Sequence, residues 1–358
     1  MRSWRHIVSA TAALSLLTLA VSAGSASAGP RAADAGTSTS TSTSTSTDDT
    51  PFTFAVIGDM PYGDAEIADF PHVISQINAD PDVTFVSHLG DIKNGSTVCS
   101  DAYFQMIKSD FDQFKDPLVY TVGDNEWTDC HRPNNGSYNP LERLAKVRQV
   151  FFTRPGFTLG QNSVRVTSQA DEGIPEDVRY TRAGVAFAAL HVVGSNNSME
   201  PWTGNTQPTP EQAAEVLART ASVIESIRDT FASARRHHNR AVTLMMQADM
   251  FDPTVSDPSY ADYYAFQPIV AAIAREAAAF DGPVYLFNGD SHLYESDQPL
   301  AAGSSWLSFY HQATAVPNLH RITVDGSNNA KDYLKVTVQP HSPQVLNWTR
   351  VPLADSGS

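Results

Sequence analysis

The chain has 358 residues, 41% of them hydrophobic, and a formal net charge of −15 at pH 7. An acidic surface repels nucleic acid and anionic lipid, so we expect neither nucleic acid nor a membrane as a partner. An anionic substrate would need a local attraction, such as a bound cation.

Residues 1–28 have the pattern of a secretory signal peptide. Arg2 and Arg5 precede an apolar run from Ile7 to about Val21, and the segment ends in Ala-Ser-Ala. The apolar run is too short to span a bilayer well. The pattern therefore predicts cleavage after Ala28 and a secreted protein.

Three further regions follow in the chain. Residues 29–50 are rich in Ser and Thr and predict a disordered leader, residues 51–352 predict one folded domain, and residues 353–358 predict a tail. Cys99 and Cys130 are the two cysteines. In an exported protein an isolated pair is more typical of a disulfide than of a metal site, so we expect a bridge.

Several apolar runs of strand length end in Gly-Asp or a similar polar turn. They are Phe52–Asp59, Val83–Asp91, Pro117–Asp124 and Gly282–Asp290, with Ala241–Asp249 as a weaker fifth member. Near-continuous apolar runs, rather than alternating ones, are typical of strands that are covered on both faces.

Helical patterns lie between these runs. The clearest is Pro210–Arg236, whose proline and acidic residues come early and whose arginines come late, as the helix dipole favours. The residues that recur at helical spacing and predict its buried face are Leu217, Ala221, Ile224, Ile227 and Phe231. Other predicted helices are Ala65–Asn78, Ala102–Phe114, Leu141–Phe151 and Tyr260–Phe280.

Two late segments have the pattern of antiparallel strands. They are LHRITVDG at 319–326 and DYLKVTVQP at 332–340. Together with the earlier runs, they predict an α/β fold with helices outside and more than one kind of strand pairing.

The Gly-Asp turns place Asp59, Asp91, Asp124 and Asp290 just after strand ends, where α/β folds bind ligands. A single Gly-Asp is also an ordinary turn. Four carboxylates that meet repel one another and persist only around cations. His292 follows Asp290 by two residues, and Asp and His together can hold two divalent metals, with one carboxylate as a bridge.

The order of these motifs resembles that of the calcineurin-like metallophosphoesterases. That family carries Asp-x-His, Gly-Asp, Gly-Asn-His-Asp/Glu, a lone His after a strand, and Gly-His-x-His. The matching segments here are GDMPYGD at 58–64, LGDIKNG at 89–95, VGDNEW at 122–127, MMQAD at 245–249 and NGDSH at 288–292. The resemblance extends from Phe52 to about Val338 and implies two mixed β-sheets packed face to face, with helices outside.

Some family ligands carry over directly. The resemblance implies that Asp59 binds the first metal, that Asp91 bridges both metals and that His292 is the last ligand. Glu126 matches the acidic residue that closes the third motif. The resemblance also implies that the chain hydrolyses a small-molecule phosphate ester, by a metal-bound hydroxide that attacks phosphorus in line.

Other family positions differ. Pro61 replaces the first histidine, Asp124 the metal-binding asparagine, and Asn125 the histidine that assists the leaving group. Gln247 replaces the lone histidine, and Asp290 the first histidine of the last motif.

The replacements change the chemistry of the implied site. Asp91, Asp124, Asp290 and Gln247 all offer oxygen. A two-metal site of this kind favours Mg²⁺, Mn²⁺ or Ca²⁺ over Zn²⁺. Two interpretations of Tyr62 remain open: a phenolate ligand, which suits iron, or a turn residue.

Three residues are candidates for a catalytic role beside the metals. Asn125 occupies the position of the leaving-group histidine but cannot donate a full proton. His131 and Arg132 lie close by in sequence and, like Lys93, suit phosphate binding or help to the leaving group.

Two other functions remain open. The chain can be a non-catalytic or strongly altered metal-binding protein on the same scaffold, because fold does not entail function. Gly-Asp-Ser also occurs in lipase-like esterases, which would make Ser291 the nucleophile. His292 adjoins Ser291 too closely in sequence to act as its base, which disfavours the esterase.

Overall fold

The computed structural model describes residues 50–354. The predicted signal peptide, nearly all of the predicted leader and residues 355–358 of the predicted tail lie outside the described residues. None of the helices within 50–354 is long and apolar enough to cross a membrane.

Twelve strands are present in the described region. They are β1 (Phe52–Ile57), β2 (Val83–His88), β3 (Leu118–Tyr120), β4 (Thr167–Gln169), β5 (Ile174–Arg182), β6 (Val185–Ala189), β7 (Ala241–Met245), β8 (Val284–Asn288), β9 (Glu295–Asp297), β10 (Leu319–Thr323), β11 (Asp332–Val338) and β12 (Leu346–Pro352). The main helices are Gly63–Ala79, Asp101–Phe111, Pro140–Phe151, Pro210–Arg236, Gln267–Ala278 and Ser305–Phe309.

The strands form two mixed sheets, as expected. The first has the order β12-β11-β1-β2-β3, and the second has the order β4-β5-β6-β7-β8-β10-β9. Strands β1, β2 and β3 are parallel to one another, and so are β6, β7, β8 and β10. The prediction for 319–326 was partly wrong, because β10 is parallel to β8 and antiparallel only to the short β9.

The two sheets pack face to face over an apolar core. Phe54 of β1 contacts Phe187 of β6 and Phe287 of β8 with edge-to-face rings at 5.8 and 6.1 Å. The other face of β1, with Ala55 and Ile57, packs against helices. Burial of both faces explains why the strand is apolar at every position except Thr53, whose hydroxyl contacts that of Thr337.

The helix Pro210–Arg236 confirms its predicted bounds but not all of its predicted buried face. Thr209 and Gln212 form a reciprocal capping box at its start. Ile227 and Phe231 are buried as expected and Ile224 is partly buried, whereas Leu217 is 74% exposed and Ala221 is also exposed. The buried face is displaced because Arg219 lies in the interior, 1% exposed, with hydrogen bonds to backbone oxygens.

The predicted helix Tyr260–Phe280 is shorter than expected. Its first residues form two single turns of 3-10 helix, Tyr260–Asp262 and Tyr264–Phe266. The α-helix begins at Gln267, where Pro268 lies in the first turn.

Candidate metal centre

The ends of β1, β2 and β3 in the first sheet and of β8 in the second bring the predicted carboxylates together. Ligand atoms of Asp59, Asp91 and His292 lie within 4.8 Å of one another, and so do those of Asp91, Asp124 and Asp290. We call these the first group and the second group. Asp91 belongs to both, so the two groups adjoin through one shared carboxylate.

The backbone of this centre is strained. Asp59, Asp91, Asp290 and His292 have φ values of 50°, 53°, 74° and 60°. Residues other than glycine are uncommon in this left-handed region, and such outliers concentrate at functional sites. Hydrogen bonds hold the conformation: Asp59 N donates to Gly90 O, and Asp290 N donates to the Asp59 carboxylate.

Gly289 shows why the last motif needs a glycine before its aspartate. A Cβ atom at Gly289 would lie 2.0 Å from Asp59 Oδ2. The turn after β8 therefore packs directly on the carboxylate that follows β1. Because β1 and β8 belong to different sheets, this contact lies between the two sheets.

The electrostatics of the centre favour a bound cation. Burial raises the pKa of Asp91 well above its ordinary value, and the charges of Asp124 and Glu126 raise it further. Burial and the charges of Asp124 and Asp59 raise the pKa of Asp290 in the same way. Buried carboxylates so close together lose this penalty when a cation binds, so the residues present fit metal ions.

His292 lies on the exposed side of the first group. Its Nε2 is 3.5 Å from Asp59 Oδ1, and its side chain is 35% exposed. Burial lowers the pKa of His292, but the hydrogen bond and charge of Asp59 outweigh it, so the net shift is upward.

Asp91 is held by four hydrogen bonds. Tyr62 Oη and Asn125 Nδ2 donate to Oδ2 at 2.9 and 2.8 Å, and Asn125 N donates to Oδ1 at 3.1 Å. Gln247 Nε2 is the fourth donor, at 3.2 Å. Burial, followed by the charges of Asp91 and Asp59, raises the pKa of Tyr62 well above its ordinary value. Without a bound cation, Tyr62 is therefore a protonated donor to Asp91.

Gln247 lies beside the carboxylates, as predicted, but its amide nitrogen and not its amide oxygen faces them. Its Oε1 accepts a 2.7 Å hydrogen bond from the backbone N–H of Gly194. Because that partner is a donor, the oxygen must face Gly194, and Nε2 faces Asp91 and Asp124 at 3.2 and 3.4 Å. In this arrangement Gln247 is a hydrogen-bond donor to the carboxylates rather than an oxygen ligand.

Lys93 and Glu126 support the third-motif loop. The Lys93 ammonium is fully buried and donates to Asn125 O and Asn135 Oδ1 at 2.8 and 3.0 Å. Burial lowers the pKa of Lys93 to about 8. Glu126 accepts from Tyr120 Oη and belongs to neither group. Lys93 is thus not placed to bind a substrate phosphate.

The predicted disulfide Cys99–Cys130 is confirmed. It joins the loop after β2, which carries Asp91, to the loop after β3, which carries Asp124. A closed loop of this length stabilises a fold by about 3 kcal/mol.

His131 and Arg132 lie beside the centre and differ in charge: the imidazole is neutral and the guanidinium forms an ion pair. His131 Nδ1 accepts from Thr203 N at 2.9 Å, and burial and the Arg132 charge lower the His131 pKa to about 4. His131 is therefore neutral at neutral pH. The Arg132 guanidinium pairs with the buried carboxylate of Asp129 while its side chain remains 36% exposed.

Ser195 and Asp129 were missed by the sequence analysis. Ser195 Oγ donates to Asp124 Oδ2 at 2.8 Å and lies 3.1 Å from Asp129 Oδ1. Through these contacts the Arg132–Asp129 pair is joined to the second group. The available signal was the Gly-Ser-Asn-Asn run at 194–197, since Gly and Asn favour left-handed turns.

Comparisons with known proteins agree with this geometry. The family model described as calcineurin-like phosphoesterase matches residues 52–294, a segment that contains every residue of both groups. No curated protein matches the chain significantly.

The solved structures to which the chain is similar include the following three. The anchor protein GAP50 of the Plasmodium inner membrane complex is 9% identical, with a TM-score of 0.42 over 85% of this chain and 90% of that chain. The purple acid phosphatase PPD1 of yellow lupin (Lupinus luteus) is 14% identical, with a TM-score of 0.47 over 84% of this chain and 52% of that chain. A 5′-nucleotidase precursor of Thermus thermophilus is 9% identical, with a TM-score of 0.42 over 85% of this chain and 55% of that chain. The chain thus spans about half the length of the last two proteins.

Proposed function

The chain belongs to the calcineurin-like phosphoesterase family, and from that membership we propose that it is a metal-dependent phosphoric ester hydrolase. The observation that carries the proposal is that Asp91 is shared by the first and second groups. Two adjoining cation sites with a common carboxylate suit in-line displacement at phosphorus.

We propose one ion for each of the two groups. Asp59, Asp91 and His292 would hold one ion, and Asp91, Asp124 and Asp290 the other. Bound ions neutralise charge on phosphoryl oxygens and acidify coordinated water. Because the second group is entirely carboxylate, we propose Mg²⁺, Mn²⁺ or Ca²⁺ there rather than Zn²⁺, and iron is compatible with the first group.

The chain's own side chains orient the centre and bind the substrate. Tyr62 and Asn125 fix Asp91 by hydrogen bonds. Arg132, tied to the second group through Asp129 and Ser195, would bind a phosphoryl oxygen. Asn125 cannot supply a proton to the leaving group. We therefore propose that esters with acidic leaving groups, such as aryl phosphates, turn over fastest.

The test is an assay of aryl and alkyl phosphate monoesters and diesters with Mg²⁺, Mn²⁺, Ca²⁺, Fe²⁺ and Zn²⁺ in turn. The proposal expects metal-dependent turnover, with aryl esters faster than alkyl esters. Stabilisation by a metal without turnover of any ester would instead favour a non-catalytic metal-binding protein on this scaffold.

The esterase alternative receives no support from the geometry. Ser291 Oγ donates to Asp249 Oδ2 at 2.8 Å, and the His292 ring faces Asp59. A serine nucleophile needs a base within hydrogen-bond reach, and here the imidazole is engaged elsewhere.

Arg132 provides a prediction for substrate binding. Replacing it with alanine is expected to raise KM about 10-fold or more with a smaller effect on kcat, because a hydrogen bond to a charged group contributes about 1.5–3 kcal/mol. Arg132→Lys keeps the charge but not the planar fork, so its KM should be intermediate. The exposed Arg154 provides the matched control, Arg154→Ala, which should leave KM unchanged. An unchanged KM in Arg132→Ala contradicts the assignment.

We also propose that the protein is exported. The charged, apolar and Ala-Ser-Ala segments of residues 1–28 support export, and so does the Cys99–Cys130 disulfide. N-terminal sequencing of secreted material should begin at Gly29; an intact Met1 on the exported chain would contradict cleavage.

A further inference from the structure

A buried left-handed turn lies against the second group. Ser195, Asn196, Asn197 and Ser198 have φ values of 51°, 55°, 52° and 68°. Residues other than glycine enter this region singly as a rule, so four in succession require support from the surrounding structure.

Side chains from distant segments supply that support. Arg219, which is 1% exposed, donates to both the side-chain and backbone oxygens of Asn197. Asn196 Oδ1 accepts from Ala265 N at 3.0 Å. Ser198 Oγ lies 2.7 Å from Thr128 Oγ1. The turn is therefore fixed at every residue after Ser195.

Ser195 and Gly194 are the part of this segment that contacts the second group. Ser195 Oγ donates to Asp124 Oδ2 at 2.8 Å. A Cβ atom at Gly194 would lie 2.7 Å from Asp124 Oδ2 and 2.8 Å from Asp290 Oδ1, so only glycine permits this approach. Gly194 N also orients Gln247. The strained turn thus places the Ser195 hydroxyl within hydrogen-bond distance of the Asp124 carboxylate.

We propose that Ser195 is a positioning residue that orients Asp124 for the second ion, and that Arg219 holds the turn which places it. The inference rests on the proposed function, because it assumes that the second group binds a metal. Partners that hydrogen-bond to metal ligands fix the direction of the ligand's lone pairs, and their loss typically weakens metal binding about 10–100-fold.

Ser195→Gly separates this role from a merely structural one. Glycine adopts positive φ without strain, so the metal-free variant should be at least as stable as the wild type. In a Mn²⁺ titration followed by calorimetry and electron paramagnetic resonance, we expect one of the two binding steps, the one that Asp290→Asn removes, to lose about 10–100-fold in affinity. The other step should be unchanged. A merely structural role predicts no selective loss.

Two further variants complete the test. Ser198→Ala removes a hydroxyl of the same turn that contacts Thr128 and not the second group; because Arg219 still holds Asn197, both affinities should remain those of the wild type. Arg219→Lys replaces the two guanidinium nitrogens that contact the two oxygens of Asn197 with a single ammonium nitrogen, so it should weaken the same step as Ser195→Gly.

Three results would overturn the inference. If the wild type binds two ions and Ser195→Gly binds both as tightly, Ser195 does not position Asp124. If Ser198→Ala loses as much affinity as Ser195→Gly, the effect belongs to the turn in general. If the wild type binds no ion, both the inference and the proposed function fail.

Discussion

Replacing Asp91 with asparagine is expected to remove both ions and to lower kcat/KM for the best ester by about 10³-fold or more, since bound metals supply several kcal/mol of transition-state stabilisation. Asp91 alone belongs to both the first and the second group. Elemental analysis and steady-state kinetics on the same preparation measure the two effects together.

Two comparisons make the Asp91→Asn result interpretable. Asp290→Asn alters only the second group and should leave one ion bound. Asp64→Asn changes an exposed carboxylate in the first motif and should leave ions and rate unchanged. If folded Asp91→Asn, with a native circular dichroism spectrum, retains two ions or wild-type turnover, the shared-carboxylate arrangement is wrong.

The second large effect is on stability without metal. The free energy of unfolding of the metal-free protein is expected to fall as pH rises from about 4 to about 8. Burial raises the pKa values of Asp59, Asp91 and Asp290 above 3.8, and those of Asp129 and Asp177 to about 8. A raised pKa stabilises the fold below the unfolded value and loses that contribution as pH rises through the folded value.

Buried histidines act in the opposite direction over part of this range. Burial lowers the pKa of His88 from 6.5 to about 4, so its contribution is complete above 6.5 and is lost as pH falls towards 4. Between pH 6.5 and about 8 the unfolded histidines lose their remaining protons, and Lys93, whose lowered pKa is about 8, opposes the carboxylates near the upper end of the interval. The carboxylates still dominate the slope there, because several of them hold a proton in the folded state only.

Metal ions should remove this loss of stability. At about 100 times its Kd for each of two sites, Mn²⁺ should raise the melting temperature by about 5–10 °C at pH 8, because each site contributes about 2.7 kcal/mol. The increase should be smaller at pH 5, where protons compete for the same carboxylates. Differential scanning calorimetry with Mn²⁺ or with a chelator measures both. A metal-free stability that rises between pH 6.5 and 8 would contradict the electrostatic account.

The strand ends were predictable because their signals are local. An apolar run followed by Gly-Asp places the carboxylate at a strand's carboxyl end wherever the strand lies in the sheet. Asp59, Asp91, Asp124 and Asp290 therefore meet as expected. The contacts that each of these carboxylates makes were not predictable, because they depend on how the two sheets pack against each other.

The roles that differ from prediction depend on long-range contacts. Gln247 was expected to offer oxygen, but its orientation is set by Gly194, 53 residues away. Ser195 reaches Asp124 across 71 residues, through a turn that Arg219 supports. Leu217 was expected inside, but the buried guanidinium of Arg219 lies on the inner face instead. Periodicity alone does not reveal which polar side chains find partners in the interior.

The most direct test of the account is the number of ions that the wild-type protein binds. After equilibrium dialysis against Mn²⁺ and removal of excess metal, elemental analysis should find two ions per chain, one for each group. A pure, folded protein that retains no Mn²⁺, and none of Mg²⁺, Ca²⁺, iron or Zn²⁺ under the same treatment, would contradict the claim that these aspartates form a metal centre.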